Sequence, residues 1–315
     1  MQLIRYTPEL AADWNRFVAT SKNGTFMLNR LYMDYHSDRF EDCSVMFVEK
    51  ERVFAVFPAN ICRKEGVVYS HQGLTYGGLV MGNEINTVRV LEAFELLKQY
   101  YAKEYGAKKL QYKAIPYIYH RQASEEDEYA LYRCGAQMVA CEISSTVNLK
   151  TPIYYDRSRR NALKKSLKAG HKVEASDDFE AYWTILQEVL DKRHGKVPTH
   201  NAQELRLLAE RFPENIRLFV VKGQNGVPIA GTYVFIYNNN VVHTQYMTAT
   251  DAARKTGALD LLVDYLINRY APTHTFLDFG ISTEDDGRWL NEGLIYQKEG
   301  FGGRGICYKE YEISL

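Results

Sequence analysis

Several residues in the second half of the chain are of types that could do chemistry. His243, Gln245 and Met247 alternate along Val241–Thr248, so a strand there would put them on one face and Tyr246 on the other. A histidine so placed can take a proton or orient a substrate, and a tyrosine can do likewise. The plainer alternative is a hydrogen-bonded structural histidine. Asp278 interrupts the apolar run Phe276-Leu277 and Phe279. A carboxylate buried there needs a partner, which could be Arg288, Lys298 or a substrate. Arg254, Lys255, Thr256, Gly257 and Ala258 stand where a hairpin hands over to a helix. The free N–H groups and partial positive charge of a helix N-terminus suit a phosphate or carboxylate, although an ordinary helix start reads the same way.

Three further groups complete the candidates. Asn291, Lys298 and Glu299 ride a helix after the Asp278 strand, and Lys298 is a candidate for binding an anionic substrate group. His71, Tyr76, Gly77 and Gly78 form a polar, glycine-rich stretch, where glycine allows a ligand to approach the backbone or simply builds a bulge. Arg157, Arg159, Arg160, Lys164, Lys165, Lys168 and Lys172 make a locally basic helix. It could touch RNA or lipid phosphates, with a solvated helix face as the default reading. No Gly-x-Ser-x-Gly elbow and no His-x-x-x-His pair occurs, so neither a serine nucleophile nor a metal site is expected.

The elements that must position these residues follow from periodicity. In residues 1–150 the pattern predicts a short strand, two helices, the strands Ser44–Glu49 and Val53–Cys62, and a long helix Thr87–Tyr105 closed by Gly106. A strand Lys109–Ala114, a helix Glu125–Cys134 and a strand Gln137–Leu149 follow. Residues 151–315 repeat the plan. They hold a basic helix Asp156–Ala169, further helices, strands Arg217–Val221, Val227–Tyr237 and Val241–Thr248, then a helix Ala258–Tyr270. A strand Thr275–Gly280, a helix Arg288–Glu299 and a strand Cys307–Ile313 close the chain. The expected class is α+β with mixed α/β layers, in two domains, 1–150 and 151–315.

Composition narrows the partners. Lys+Arg and Asp+Glu are equal at 39 each, so no global field favours DNA or an anionic membrane. The five cysteines (Cys43, Cys62, Cys134, Cys141, Cys307) are scattered and lack zinc-ligand spacing. That pattern, the absence of a leader-like first segment and of any apolar run near the ~20 residues a bilayer span needs, lead us to expect a cytoplasmic protein. The 24 tyrosines suit polar-lined clefts and half-buried strands.

This element order, with Thr275-Phe-Leu-Asp-Phe-Gly280, Leu290-Asn-Glu-Gly-Leu294, Lys298-Glu-Gly-Phe-Gly302, Phe26–Tyr32 and Gly73–Gly78, resembles the GNAT superfamily of N-acyltransferases. More narrowly it is similar to the FemAB-like branch, in which two GNAT-like domains share one chain. The resemblance implies a mixed central sheet flanked by helices in each domain. It also implies transfer of an acyl or aminoacyl group to an amine, with acyl-CoA or aminoacyl-tRNA as donor and a small molecule or peptidoglycan precursor, amino sugar or amino acid as acceptor. Arg254-Lys-Thr-Gly257 matches the first part of the GNAT pyrophosphate pattern, with Leu259 at its last small position. On this resemblance Arg254–Ala258 would hold the donor and His243 or Tyr246 would manage the amine proton. His71, Tyr76, Gly77, Gly78, Gln245, Asp278, Asn291 and Lys298 would face substrate. The alternative is a catalytically inactive, GNAT-derived ligand-binding or scaffold protein, for which Leu259 is the motive. An RNA-associated protein using the basic helix is a third reading.

Overall fold

The structure, a computed structural model, describes residues 1–193, 200–238 and 240–315. The chain forms two compact units. One comprises Met1–Glu142, Thr283–Trp289 and Cys307–Leu315; the other comprises Ile143–Ser282 and Leu290–Ile306.

In the first unit the strands Gln2–Arg5, Val45–Glu49, Arg52–Phe57 and Val80–Met81 pair antiparallel in that order. A second set runs Glu41–Asp42, Asn60–Cys62, Val67–Tyr69, Lys109–Lys113 and residues 310–314 of the last strand. Its Val67–Tyr69 pair with Lys109–Lys113 is parallel. The helix Thr87–Tyr105 forms where its apolar spacing predicts. Asn86 caps it by accepting the Arg89 N–H, and Gly106 ends it in the left-handed region at φ 61°. Its Val90, Ala93, Phe94, Leu97 and Tyr101 are buried in one core with Phe47, Phe57, Leu110 and Tyr112. Such a 3.6-period stripe is what lets the helix close over a sheet.

The second unit carries the antiparallel run Lys172–Ser176, Ile216–Lys222, Pro228–Tyr237 and Val241–Ala249. Val241–Ala249 then pairs in parallel with Phe276–Ile281, which pairs antiparallel with residues 144–148. The helix Ala258–Tyr270 makes the crossover between the two parallel strands. Its Ala258, Leu261, Leu262, Val263, Leu266 and Ile267 are buried against Phe219, Val234, Val242 and Leu277. The helix Arg157–Lys168 packs on it, and Phe179–Arg193 packs on the strands Pro228–Tyr237 and Val241–Ala249.

Three expectations change. Val53–Cys62 is not one strand, because Arg52–Phe57 and Asn60–Cys62 pair in different sets on either side of Pro58. Lys172–Ser176 is a strand, recruited by pairing with Ile216–Lys222 rather than by its own polar sequence. The helix expected from Arg288 starts at Glu292, because Trp289–Leu290 pairs with Thr283–Glu284 as a two-stranded ribbon.

Candidate functional site

The parallel pairing in the second unit stops at a defined point. Val241, Val242 and His243 face Phe276, Leu277 and Asp278, and no pair follows. Beyond it each strand departs from regular geometry. On Val241–Ala249 a β-bulge sets Tyr246 and Met247 against the single Thr232, with Tyr246 at φ 54°. On Phe276–Ile281 the register against residues 144–148 shifts after Asp278, and Gly280 lies at φ 75°. His243 and Asp278 therefore stand where two parallel strands cease to pair.

They are joined directly. His243 Nδ1 lies 2.8 Å from Asp278 Oδ2, and His243 Nε2 lies 3.1 Å from Gln245 Oε1. Asp278 is fully buried, and its other oxygen accepts from Thr146 at 2.7 Å and from the Ser144 hydroxyl. Burial alone would push this carboxyl up. The charge and hydrogen bond of His243, with the two hydroxyls, hold it well below the usual carboxylate range. Asp278 is thus an anion at neutral pH, and a carboxylate facing Nδ1 makes that nitrogen the donor. For Nε2 to act as an acceptor, Gln245 must turn its amide N–H₂ toward it in place of Oε1. The His243 side chain is 12% exposed, whereas Asp278 is fully buried.

Lys298 adds a cation to the same place. The helix Glu292–Glu299 carries it, and its Nζ donates to the carbonyls of Gly280 and Ile281, both at 2.8 Å. Burial pushes its ammonium down to about 8, and the Asp278 charge opposes the shift. Gly280 touches both partners: a Cβ there would meet His243 Cε1 at 3.2 Å, and its carbonyl holds Lys298.

Other expected residues have different surroundings. The bulge breaks the expected alternation at Tyr246. Met247 packs with Val242 and Ala249 against the helix Ala258–Tyr270, so it leaves the face of His243. Tyr246 points at Trp183, and its hydroxyl bonds His200 Nδ1 at 2.9 Å. Asp278 takes its hydrogen bonds from His243, Ser144 and Thr146 rather than from Arg288 or Lys298, because its neighbouring strand supplies the hydroxyls. Asn291 caps the helix of Lys298 by accepting the Leu294 N–H at 3.0 Å.

Arg254 Nε donates to the Ala249 carbonyl at 3.1 Å, within a short helix Asp251–Lys255. Thr256 and Gly257 give their N–H groups to Ala253 and Arg254. Gly257, at φ 77°, lies so close to the helix Arg157–Lys168 that a Cβ would fall 2.2 Å from the Ala162 carbonyl oxygen. The first turn after Ala258 is further filled by Asp260, buried and paired with Arg159 at 2.9 Å.

In the first unit, Tyr76 donates to Thr25 Oγ1 at 3.3 Å, and a Cβ on Gly77 would fall 1.8 Å from the Ser70 carbonyl. Gly78, at φ 76°, lies against the Tyr112 hydroxyl. His71, at φ 68°, stacks on His36 with ring centroids 5.3 Å apart. Its burial pushes the ring down to about 3, so it is neutral.

Ser144 and Thr146 were not singled out in the sequence. Their signal is two hydroxyls at i and i+2 on a strand, which gains meaning only once that strand lies beside Asp278. Among the described residues no group of three or more His, Cys, Asp or Glu could hold a metal ion, and no helix is long and apolar enough to cross a membrane.

Residues 156–288 match the family model described as acetyltransferase (GNAT) domain. No curated protein matches the chain. Among solved structures, FemX is similar at TM-score 0.72 and 12% identity, over 100% of this chain and 98% of that one. L-PGS from Bacillus licheniformis is similar at TM-score 0.62 and 13% identity, over 97% and 91% of the respective chains. A tandem GNAT protein from the clavulanic acid biosynthesis pathway follows at TM-score 0.52 and 13% identity, over 99% and 98%. The mixed sheets, the crossover helix and the parted parallel strands agree with these likenesses: this chain has a GNAT-superfamily fold of the FemAB-like kind.

Proposed function

We propose that the protein is an N-acyltransferase that moves an acyl or aminoacyl group onto an amine, with His243 as the general base. The observation that carries this is the His243–Asp278 pair at the point where two parallel strands stop pairing. Acyl transfer to an amine needs an activated donor, a neutral amine and a group for the developing oxyanion, and no covalent nucleophile. His243 Nε2 accepts the proton of the attacking amine, and Asp278 stabilises the positive ring that results. Lys298 has three N–H donors and spends two on backbone carbonyls, so the third is assigned to the oxyanion. Collapse of the tetrahedral intermediate restores the carbonyl and expels the donor's alcohol or thiol. Gln245 beside Nε2 is assigned to orienting the acceptor.

The donor is an activated ester or thioester. The crowding of Gly257 by Ala162, and the Asp260 carboxylate in the same turn, favour aminoacyl-tRNA over acyl-CoA. The Gly257 N–H is already given to the Arg254 carbonyl and Arg159 is already paired with Asp260, so both are engaged where a pyrophosphate would sit. The acceptor class is the amine of a cell-wall precursor, an amino sugar or an amino acid.

Transfer is measured with labelled aminoacyl-tRNA and with acyl-CoA, on a panel of such amines. The expected result is product from an aminoacyl donor, with kcat/KM lowered about 10²- to 10⁴-fold in His243→Gln at unchanged melting temperature. Transfer that survives His243→Gln at the wild-type rate removes the base assignment. No product from any donor, with a bound acceptor, supports the inactive binding-protein reading instead.

A further inference from the structure

We propose that Cys141 and Cys307 form a cross-strand dithiol that is a modification site: a small-molecule disulfide converts it to an intramolecular disulfide.

Both thiols are free and exposed. The strands Gln137–Asn148 and Arg304–Ser314 are neighbours, and their register follows from two close approaches. A Cβ on Gly303 would fall 3.1 Å from Ser145 Cβ, and one on Gly305 would fall 2.9 Å from Ile143 Cδ1. Residue 303 thus faces 145 and 305 faces 143, so an antiparallel step of two more sets Cys307 opposite Cys141. The Cys141 N–H donates to the Asp286 carbonyl at 3.2 Å, away from the Cys307 strand. Cys141 and Cys307 are therefore a pair without mutual backbone hydrogen bonds, the kind whose Cα atoms stand about 4.5 Å apart with side chains closest. Disulfides span Cα separations of about 4.4–6.8 Å, so closure needs little backbone movement. The two thiols already hydrogen-bond each other. Lys309 lies two residues beyond Cys307 on the same strand face, and its positive charge acts on both sulfurs.

The step is thiol–disulfide exchange. One cysteine loses its proton, and its thiolate attacks a sulfur of oxidised glutathione, forming a mixed disulfide and releasing one glutathione thiolate. The second cysteine, also deprotonated, attacks the protein sulfur of that mixed disulfide and expels the second glutathione thiolate. The protein loses two protons and two electrons, and the glutathione disulfide is reduced to two thiols. The oxidised chain has its final strand covalently fastened to the strand carrying residue 141.

The full chain is incubated with oxidised glutathione, and intact mass and non-reduced peptides are read. The expected wild-type product is a single chain lighter by two hydrogens, with a peptide joining Cys141 to Cys307. Cys141→Ser and Cys307→Ser instead accumulate a stable glutathione adduct on the remaining cysteine. A wild type that retains glutathione adducts at these positions as the single variants do, or that does not react there, overturns the proposal. Dimers linked through Cys141 or Cys307, in place of the intramolecular product, overturn it as well.

Discussion

Asp278 is a buried anion bonded by Ser144, Thr146 and His243, and each of these would be stranded by its loss. Asp278→Ala leaves the Ser144 and Thr146 hydroxyls and the His243 Nδ1–H without their acceptor. It should cost about 3–5 kcal/mol in urea unfolding, the range for breaking a buried, hydrogen-bonded charge. Asp278→Asn keeps the volume and an acceptor oxygen, so it should cost less while still lowering turnover, because the amide no longer fixes the imidazole tautomer. Lys298 gives a pH signature. Its ammonium is present below about 8 and is lost as pH rises through that value, so turnover should fall on the alkaline side near pH 8. Lys298→Arg keeps its charge and should remove that limb while lowering the plateau, read from kcat between pH 6 and 10. Asp278 and Lys298 were legible in the sequence as charges in an apolar strand and on the following helix. Their partners were not, since hydrogen bonds from Ser144, more than a hundred residues away in sequence, carry no local pattern.

The element that shapes this end of the strand pair is the bulge at Tyr246. It is pinned from outside the strand: the buried Tyr182 hydroxyl, on the helix Phe179–Arg193, bonds the carbonyls of Gly231 and Tyr246. Thr232 Oγ1 meets the Gln245 carbonyl at 3.1 Å. Tyr182→Phe keeps the ring and deletes the one O–H donor shared by the buried Gly231 carbonyl and the half-buried Tyr246 carbonyl. It should cost about 1–3 kcal/mol and reduce kcat, measured by thermal unfolding beside a rate assay. This is why the strand itself was legible and its faces were not. A period of two assigns sides correctly from Val241 to Gln245, and one extra residue then moves Met247 to the other side. The helix Thr87–Tyr105 came through intact because its stripe, its Asn86 cap and its Gly106 stop all lie within its own sequence. Lys172–Ser176 has no such internal signal and takes its form from its neighbour.

At the scale of the molecule, two buried groups of the first unit set opposing responses to pH. His71 stays neutral down to about 3, against an ordinary 6.5. Below pH 6.5 the unfolded chain therefore binds one more proton, and stability falls as pH falls. Asp127, fully buried and bonded to the Tyr112 hydroxyl at 2.6 Å, is pushed up by burial to about 7 from 3.8. Between pH 4 and 7 the folded chain holds that extra proton, and stability falls as pH rises. Between pH 4 and 6.5 the two slopes, each about 1.4 kcal/mol per pH unit, cancel in the wild type. His71→Asn, which tolerates the left-handed backbone, should gain stability relative to wild type as pH drops. Asp127→Asn should gain it as pH climbs. Urea midpoints at pH 4.5, 5.5 and 6.5 read both signs.

The anion of Asp278 and the cation of Lys298 also give the site a charge tally through the proposed reaction. At rest with a neutral imidazole the three side chains sum to zero. When His243 holds the amine's proton they sum to plus one, and the oxyanion then forming beside Lys298 returns the assembly to zero. Charge is separated and rejoined within a water-poor space, with no mobile ion needed to balance it. Added salt should therefore weaken capture of a polyanionic donor, raising KM, while kcat at saturation stays level.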